Sequence, residues 1–256
     1  MKKGIIKKTV MLGLGLVLAA GLVGCSGQNE DKKASDTNSK KEIVMGLDNT
    51  FVPMGFLNDK NELEGFDIDL AKEAFKRAGY TVKFQNIDWS MKEQALDNGN
   101  VDCLWNGYSI TEERKARVAF SKPYFDNKQI AITMSTESPT KLADLKDQVV
   151  GTQAASSALE AIEANKEFIG MIKDQKPVTY DTYDKALRDL EIGRIKAVVG
   201  DEVLLKYYIT QRGADKYKVL EGDLGSEQYG VGFRKNDTEL RDKIDILGQR
   251  QEEINV

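Results

Sequence analysis

The segment Leu104-Trp105-Asn106-Gly107-Tyr108-Ser109-Ile110-Thr111-Glu112-Glu113-Arg114 runs from apolar residues through a glycine turn to a helix start with a cation one turn in. A guanidinium is a planar fork that takes a carboxylate through two parallel hydrogen bonds, and Arg114 offers it here. Asp201 closes the apolar run Ala197-Val198-Val199-Gly200 and supplies the complementary charge, a carboxylate for an ammonium. The small residues Ala154-Ala155-Ser156-Ser157 open a predicted helix, whose free N–H groups favour an anion. Gly107 and Ser109 add backbone and hydroxyl groups, Asp48 a further polar contact, and Phe51 and Trp89 flat apolar faces. One ligand class satisfies this inventory: a small zwitterion with carboxylate and ammonium on one carbon, a free α-amino acid. Charge-assisted hydrogen bonds contribute about 1.5–3 kcal/mol each. Three or four of them, offset by association costs, reach micromolar binding.

Each residue also has a plainer reading. Arg114 can lie on a solvated helix face paired with Glu112 or Glu113, and Asp201 can cap the helix that follows it. Phe51 and Trp89 are types that more often fill cores than flank ligands, and Trp105, inside an apolar run, reads as core.

The elements that would position these residues alternate. Strands are predicted at 43–47, 81–87 and 101–105, separated by a helix after Gly65 and a second opened by the capping box Ser90-x-x-Glu93. The first helix carries Phe66, Leu70, Ala74 and Ala78 at a spacing of four, taken as its inward face. Thr111 caps a third helix, an extended loop covers 119–124, and a strand covers 129–134. The strand–helix rhythm restarts with strands at 148–152, 177–181 and 195–199 and helices from Ser156 or Ser157 to Lys166, from Thr182 to Ile192 and from Glu202 to Gln211. A strand at 228–234 returns to the first unit, and Thr238 caps a closing helix. Alternation of this kind predicts doubly wound, mostly parallel sheets with ligands beyond the strands' carboxyl ends. Asp97-Asn98-Gly99-Asn100-Val101 echoes Glu191-Ile192-Gly193-Arg194-Ile195, suggesting two similar lobes. Two connections between them, near Ile130 and Gln228, would form a hinge. The expected division is 42–132 with 226–256 as lobe 1 and 133–225 as lobe 2.

Composition narrows the function. Residues 1–24 combine Lys2, Lys3, Lys7 and Lys8 with a short apolar stretch ending Leu22-Val23-Gly24-Cys25, a secretory signal too short to span a membrane. Its removal takes the formal charge from −4 to −8, since the segment holds four lysines and no acids. Such an acidic chain is ill suited to nucleic acid. Residues 25–41 are polar and read as a flexible tether. Cys103 alone remains in the folded part, where it reads as a buried apolar residue. With no histidine in the chain, a metal site and imidazole acid–base chemistry are not expected. Neither a glycine-rich phosphate loop nor a Gly-x-Ser-x-Gly elbow occurs, and no cofactor is implied.

The Leu-Val-Gly-Cys ending resembles a bacterial lipoprotein box, which implies cleavage before Cys25 and lipidation of its thiol, palmitate included. Beyond it, Asp48-x-x-Phe51-x-Pro53, Gly65-Phe66-Asp67-Ile68-Asp69-Leu70-Ala71, Asp88-Trp89-Ser90, the Asn106 to Arg114 segment, Phe120-Ser121-Lys122-Pro123-Tyr124, Ala197 to Asp201 and Gln228-Tyr229-Gly230-Val231-Gly232-Phe233 resemble the solute-binding proteins of polar amino-acid ABC importers. The resemblance covers nearly all of residues 43–242. It implies a two-lobed, periplasmic-binding-protein-like type II fold joined by a two-stranded hinge, a monomer that closes on its ligand and docks on a membrane permease. It also implies that Arg114 clamps the ligand carboxylate with Ser156 or Ser157. Asp201 would hold the ammonium with Gly107 and Ser109, and Phe51, Trp89 and Asp48 would surround the side chain. Gln153 stands where some members have lysine. The implied location is the extracytoplasmic face of a cell membrane, held by the Cys25 lipid. The ending Ile246 to Val256 departs from the apolar helix usual after Asp242, which predicts lower stability than in full-length relatives. The competing expectations are an enzyme on this scaffold, such as a dehydratase or lyase of a small carboxylate, and a surface adhesin or sensor.

Overall fold

A computed structural model describes residues 42–252, with side chains described as far as Asp245. The predicted signal sequence at 1–24, the predicted lipidation site Cys25, the predicted tether at 25–41 and the side chains from residue 246 on lie outside the described residues.

The first half begins with β1 (Glu42–Leu47), followed by a small antiparallel sheet of β2 (Thr50–Phe51), β3 (Gly55–Leu57) and β4 (Leu63–Glu64). Next come α1 (Phe66–Arg77), β5 (Thr81–Asn86), α2 (Lys92–Asp97), β6 (Cys103–Leu104), α3 (Glu112–Arg117) and β7 (Val118–Phe120). The chain crosses over through β8 (Phe125–Met134) into β9 (Val150–Gln153), α4 (Ser157–Ala164), α5 (Lys166–Met171), β10 (Val178–Tyr180), α6 (Tyr183–Glu191), β11 (Ala197–Asp201), α7 (Glu202–Arg212) and β12 (Tyr217–Val219). It returns through β13 (Ser226–Tyr229) to β14 (Gly232–Arg234) and α8 (Thr238–Glu252).

Two sheets result, ordered β5-β1-β6-β14-β7 and β10-β9-β11-β8-β12. In each, the three strands of one half-chain lie parallel in the order second, first, third, and a strand arriving from the other side of the crossover pairs antiparallel with the third. The internal echo read from sequence has the same geometry in both places. Gly99 (φ 74°) and Gly193 (φ 75°) end their helices in left-handed conformation. The following residues, Asn100 and Arg194, return their N–H groups to Ala95 and Asp189. That left-handed turn is the usual role of glycine at a helix C-terminus. β6 and β11 then run buried into the sheet centres, with Cys103, Leu104, Ala197, Val198 and Val199 inaccessible to solvent.

β8 is shared between regions. Phe125–Lys128 pair with β13, whereas Gln129–Ile132 pair with β11 of the second sheet. The partner of β8 changes from β13 to β11 between Lys128 and Gln129. The strand predicted at 228–234 is broken at Gly230 and Val231, because its first part pairs with β8 and its second with β6 and β7.

Four other expectations are corrected. The inward face of α1 is Ile68, Ala71 and Phe75, while Phe66 is exposed. A strict spacing of four advances about 40° per step around a helix of 3.6 residues per turn, so the predicted stripe winds off the core. Asp88, not Ser90, caps its element: its carboxylate accepts from Ser90 N at 2.9 Å and leads into a 3₁₀ turn, Trp89–Met91, before α2. The helix predicted to reach Lys166 is divided at Asn165, whose side chain accepts from Phe168 N and starts α5. Finally, the loop predicted at 119–124 begins inside β7.

Candidate functional site

The predicted binding residues other than Trp89 converge where the two halves of the chain touch. Gly107 turns the chain at φ 59°, and a Cβ there would lie 2.6 Å from the Phe51 ring. Its N–H donates to Asp67 Oδ2 at 2.7 Å, and the Tyr124 hydroxyl donates to the same oxygen at 2.9 Å. Asp67 is fully buried, which pushes its carboxyl up to about 7 against those hydrogen bonds. From sequence, Asp67 stood only within the Gly65 to Ala71 segment, with no role of its own. Residues 108–110 are then pinned to the returning strand by a Ser109–Tyr229 bridge and by Ile110 N donating to Gln228 O at 2.8 Å.

Arg114 does not lie on a solvated face. It is 4% exposed and reaches across the cleft rather than to Glu112 or Glu113. Nη1 donates to Ser109 O at 3.0 Å, Nη2 to Glu160 Oε1 on α4 at 2.6 Å, and the guanidinium lies 4.9 Å from the Tyr108 ring centre. Beside it is a residue the sequence reading missed. Lys92 is 2% exposed and donates to Ala155 O at 2.7 Å, with Glu93 at 3.4 Å. Burial, and then the Arg114 charge, lower its ammonium to about 8. Ala155 is left-handed at φ 52°, an uncommon conformation for a residue with a Cβ, and it turns this carbonyl toward the cations. The Arg114 end is thus two buried cations balanced by Glu93 and Glu160. Lys92 was hidden because a lysine at the start of a short helix looks like a solvated face.

Of the two serines, Ser156 is the cap of α4: Oγ accepts from Leu159 N at 3.1 Å and donates to Gln153 O at 2.8 Å. Ser157 faces the cleft, its Oγ 2.9 Å from Ser109 Oγ of the opposite lobe and 3.2 Å from Gln129 Nε2. Gln153 bridges the lobes as well, donating from Nε2 to Asp48 Oδ2 at 2.7 Å and to Asp181 O at 2.8 Å. Asp48 is anchored by Thr50, which donates from N at 2.9 Å and Oγ1 at 2.7 Å; burial still raises its carboxyl above the usual range.

Phe51 packs on Tyr183 of α6, ring centres 6.2 Å apart. Trp89 instead joins the first-lobe cluster of Leu96, Val101, Leu104, Tyr108 and Val118, edge-on to Tyr108. Its route to the cleft is Lys92, whose ammonium lies 5.3 Å from the indole centre. Trp105 is core, against Phe75 and Tyr124.

Asp201 occupies the N-terminal flank of α7 without capping it. Its Oδ1 accepts from Tyr229 OH at 2.6 Å, Asn127 Nδ2 at 2.7 Å and Gln129 Nε2 at 3.1 Å. Burial first, then the neighbouring Glu227, raises the Asp201 carboxyl well above the usual range. Asn127, Gln129, Glu227 and Tyr229 were not singled out from sequence. The signal was the alternation of Asn127 with Gln129, buried polar residues on one face of a strand. Ser109, Ser157, Gln129 and Asp201 form a continuous hydrogen-bonded path from the Arg114 end to the Asp201 end. Along it, Gln129 Oε1, Thr152 Oγ1, Gln153 Oε1 and Tyr183 OH are buried without a protein hydrogen-bond partner. Buried polar atoms left unpaired are costly, so a site built of them is suited to a polar ligand.

Two such sheets, joined by two paired strands and meeting at opposed charges, have the architecture of the type II binding-protein fold. Residues 43–252 match the bacterial extracellular solute-binding proteins, family 3, and the chain belongs to that family. A substrate-binding protein of an ABC uptake transporter from Streptococcus pneumoniae, solved with bound histidine, is 40% identical over 81% of this chain and 85% of that one, with a TM-score of 0.79. A probable histidine-binding protein of Neisseria gonorrhoeae is 27% identical over 86% of this chain and 81% of its own length. The arginine-binding extracellular protein ArtP of Bacillus subtilis (strain 168) is 26% identical over 93% of this chain and 90% of its own. Among the described residues no helix is long and apolar enough to cross a membrane.

Proposed function

We propose that this protein binds a free polar amino acid between its lobes and delivers it to an ABC importer, without chemical turnover. The observation that carries this reading is the opposition of Arg114, already gripping a carboxylate at 2.6 Å, to Asp201, a buried carboxylate with no cation on it among the described residues. Arg114 takes the ligand carboxylate in place of Glu160, with Ser157 beside it, and Asp201 takes the ammonium. Gly107 and Ser109 contribute from the turn, and Ser156 acts by holding the start of α4. Asp48, Phe51, Gln153 and Tyr183 surround the side chain, with Trp89 behind Lys92. The relatives' ligands, histidine and arginine, support a nitrogen-rich side chain, and buried Asp48 suits one. The Cys25 lipid holds the receptor, a monomer, to the outer face of the membrane.

Thermal-shift screening against the twenty amino acids, followed by calorimetry, tests this. A ligand at 100 times its Kd stabilises by about 2.7 kcal/mol. Histidine or arginine is expected to give the largest shift and to be recovered unchanged. No shift with any amino acid, or conversion of the bound one, overturns the reading. Cys25→Ser is expected to release the protein from cells, and retention on the membrane would remove the anchor.

A further inference from the structure

The Asp201 end holds a second carboxylate. Asn127 Nδ2 lies 2.7 Å from Asp201 Oδ1 and 2.7 Å from Glu227 Oε1, and Gln129 Nε2 lies 3.1 and 2.8 Å from the same two oxygens. Two amide groups are therefore each shared between two acids. Among the described residues no lysine or arginine bonds to either carboxylate. The parts come from separate elements: Asp201 ends β11, Asn127 and Gln129 lie on β8, and Glu227 lies on β13 beside Tyr229. β8 and β13 are the paired strands of the crossover. The other groups turned to Asp201 are neutral: Tyr183 from α6 and Tyr229, both phenols held protonated by burial. Outside, Asp126, Lys128 and Glu202 line the hollow by Glu227, and Glu202 is paired with Lys206 at 2.7 Å.

We propose that Glu227 is a positioning residue for the ligand ammonium: with Asp201 it forms a hinge-mounted carboxyl pair that keeps one proton on Asp201 in the empty site and releases it to solvent when the ammonium arrives. The proposal rests on the amino-acid reading for its ligand and on the shared amides for its geometry. Two like charges close together in a buried setting favour keeping a proton, and a cation removes that preference. Asp201 stands above the usual carboxylate range because of burial and Glu227, in that order. One linked proton makes affinity rise with pH below the Asp201 midpoint, by roughly tenfold per unit.

The experiment is calorimetric titration of L-arginine, whose charges are constant across the range, from pH 4.5 to 8 in buffers of different ionisation enthalpy. Wild-type protein is expected to release close to one proton at the acid end, and Kd to fall with rising pH before levelling. Glu227→Gln keeps an oxygen for Asn127 and Gln129 but removes the charge; its Kd is expected to level off at a lower pH than that of wild type, burial of Asp201 remaining. A second arm needs no ligand: carboxyl ¹³C NMR of the empty protein, in which the Asp201 midpoint falls in Glu227→Gln. An Asp201 already ionised at pH 4.5, or the same midpoint in both proteins, overturns the proposal. Absence of arginine binding at every pH counts against the ligand reading, while the NMR arm still decides the carboxyl pair.

Discussion

The two ends of the cleft solve opposite electrostatic problems by opposite means. At the Arg114 end, two buried cations face two carboxylates, and the contacts to Glu160 and Ala155 cross from one lobe to the other. At the Asp201 end, two carboxylates have, among the described residues, only neutral side-chain donors, Asn127, Gln129 and Tyr229, mounted on the crossover strands. The first end is neutral with the lobes together and exchanges one carboxylate for another. The second is short of a positive charge until one is brought to it. A zwitterion fits that asymmetry: its carboxylate substitutes for a group already present, and its ammonium fills a deficit.

Breaking the balanced end is expected to have the largest effect. Arg114→Ala should weaken arginine or histidine binding by at least about 3 kcal/mol, more than a hundredfold, since truncating one partner of a buried charge pair costs 2–5 kcal/mol. The fold should survive, because Glu160 is partly solvated and needs no rescue. Unchanged affinity by calorimetry would remove Arg114 from the site. Asp201→Asn should cost about 2–3 kcal/mol for amino acids and much less for the same acids lacking the α-amino group; equal losses for both would show that Asp201 does not read the ammonium. Lys92→Met, which keeps the stem over Trp89 and removes the link to Ala155 O, should cost about tenfold or less in affinity and appear mainly as faster ligand release in stopped-flow. An unaltered dissociation rate would reduce Lys92 to packing.

A smaller effect concerns the support of the turn rather than the ligand. The folded Asp67 carboxyl sits at about 7, above its ordinary 3.8. A carboxyl raised on folding keeps its stability below the unfolded value and loses it as pH climbs through the folded one. Wild-type protein should therefore lose stability between about pH 4 and 7 from this group. In Asp67→Asn that part of the pH dependence should be absent from melting curves, the Gly107 N–H still having an oxygen to meet. Parallel curves for the two proteins would contradict it.

Much of the organisation was legible from local pattern. Glycines at 99 and 193 sit at helix ends because left-handed turns exclude most side chains, and the apolar runs after them could only be central strands. Thr111 reads as a cap and is one, accepting from Arg114 N at 3.2 Å. The strand–helix alternation, the rarity of charge in the strands and the spacing of Gly107, Ser109 and Arg114 are properties of short segments, and one-dimensional sequence carries them.

Only the tertiary structure decided who stands opposite whom. Ser90 yielded the cap to Asp88 and Ser156 took one that left Ser157 to the cleft, choices separated by the direction of a single turn. Glu160 meets Arg114 from 46 residues away, Gln153 meets Asp48 from 105, and Asn127 joins Asp201 to Glu227 across two strands. No local propensity encodes such pairs, because their energy arises only once both partners lose water in the same place. The sequence by itself determined which residues could hold a carboxylate or an ammonium and roughly which elements would carry them. Folding decided which charges are balanced and which are left wanting, since that depends on burial and distance between segments that meet only when the two sheets close on one another.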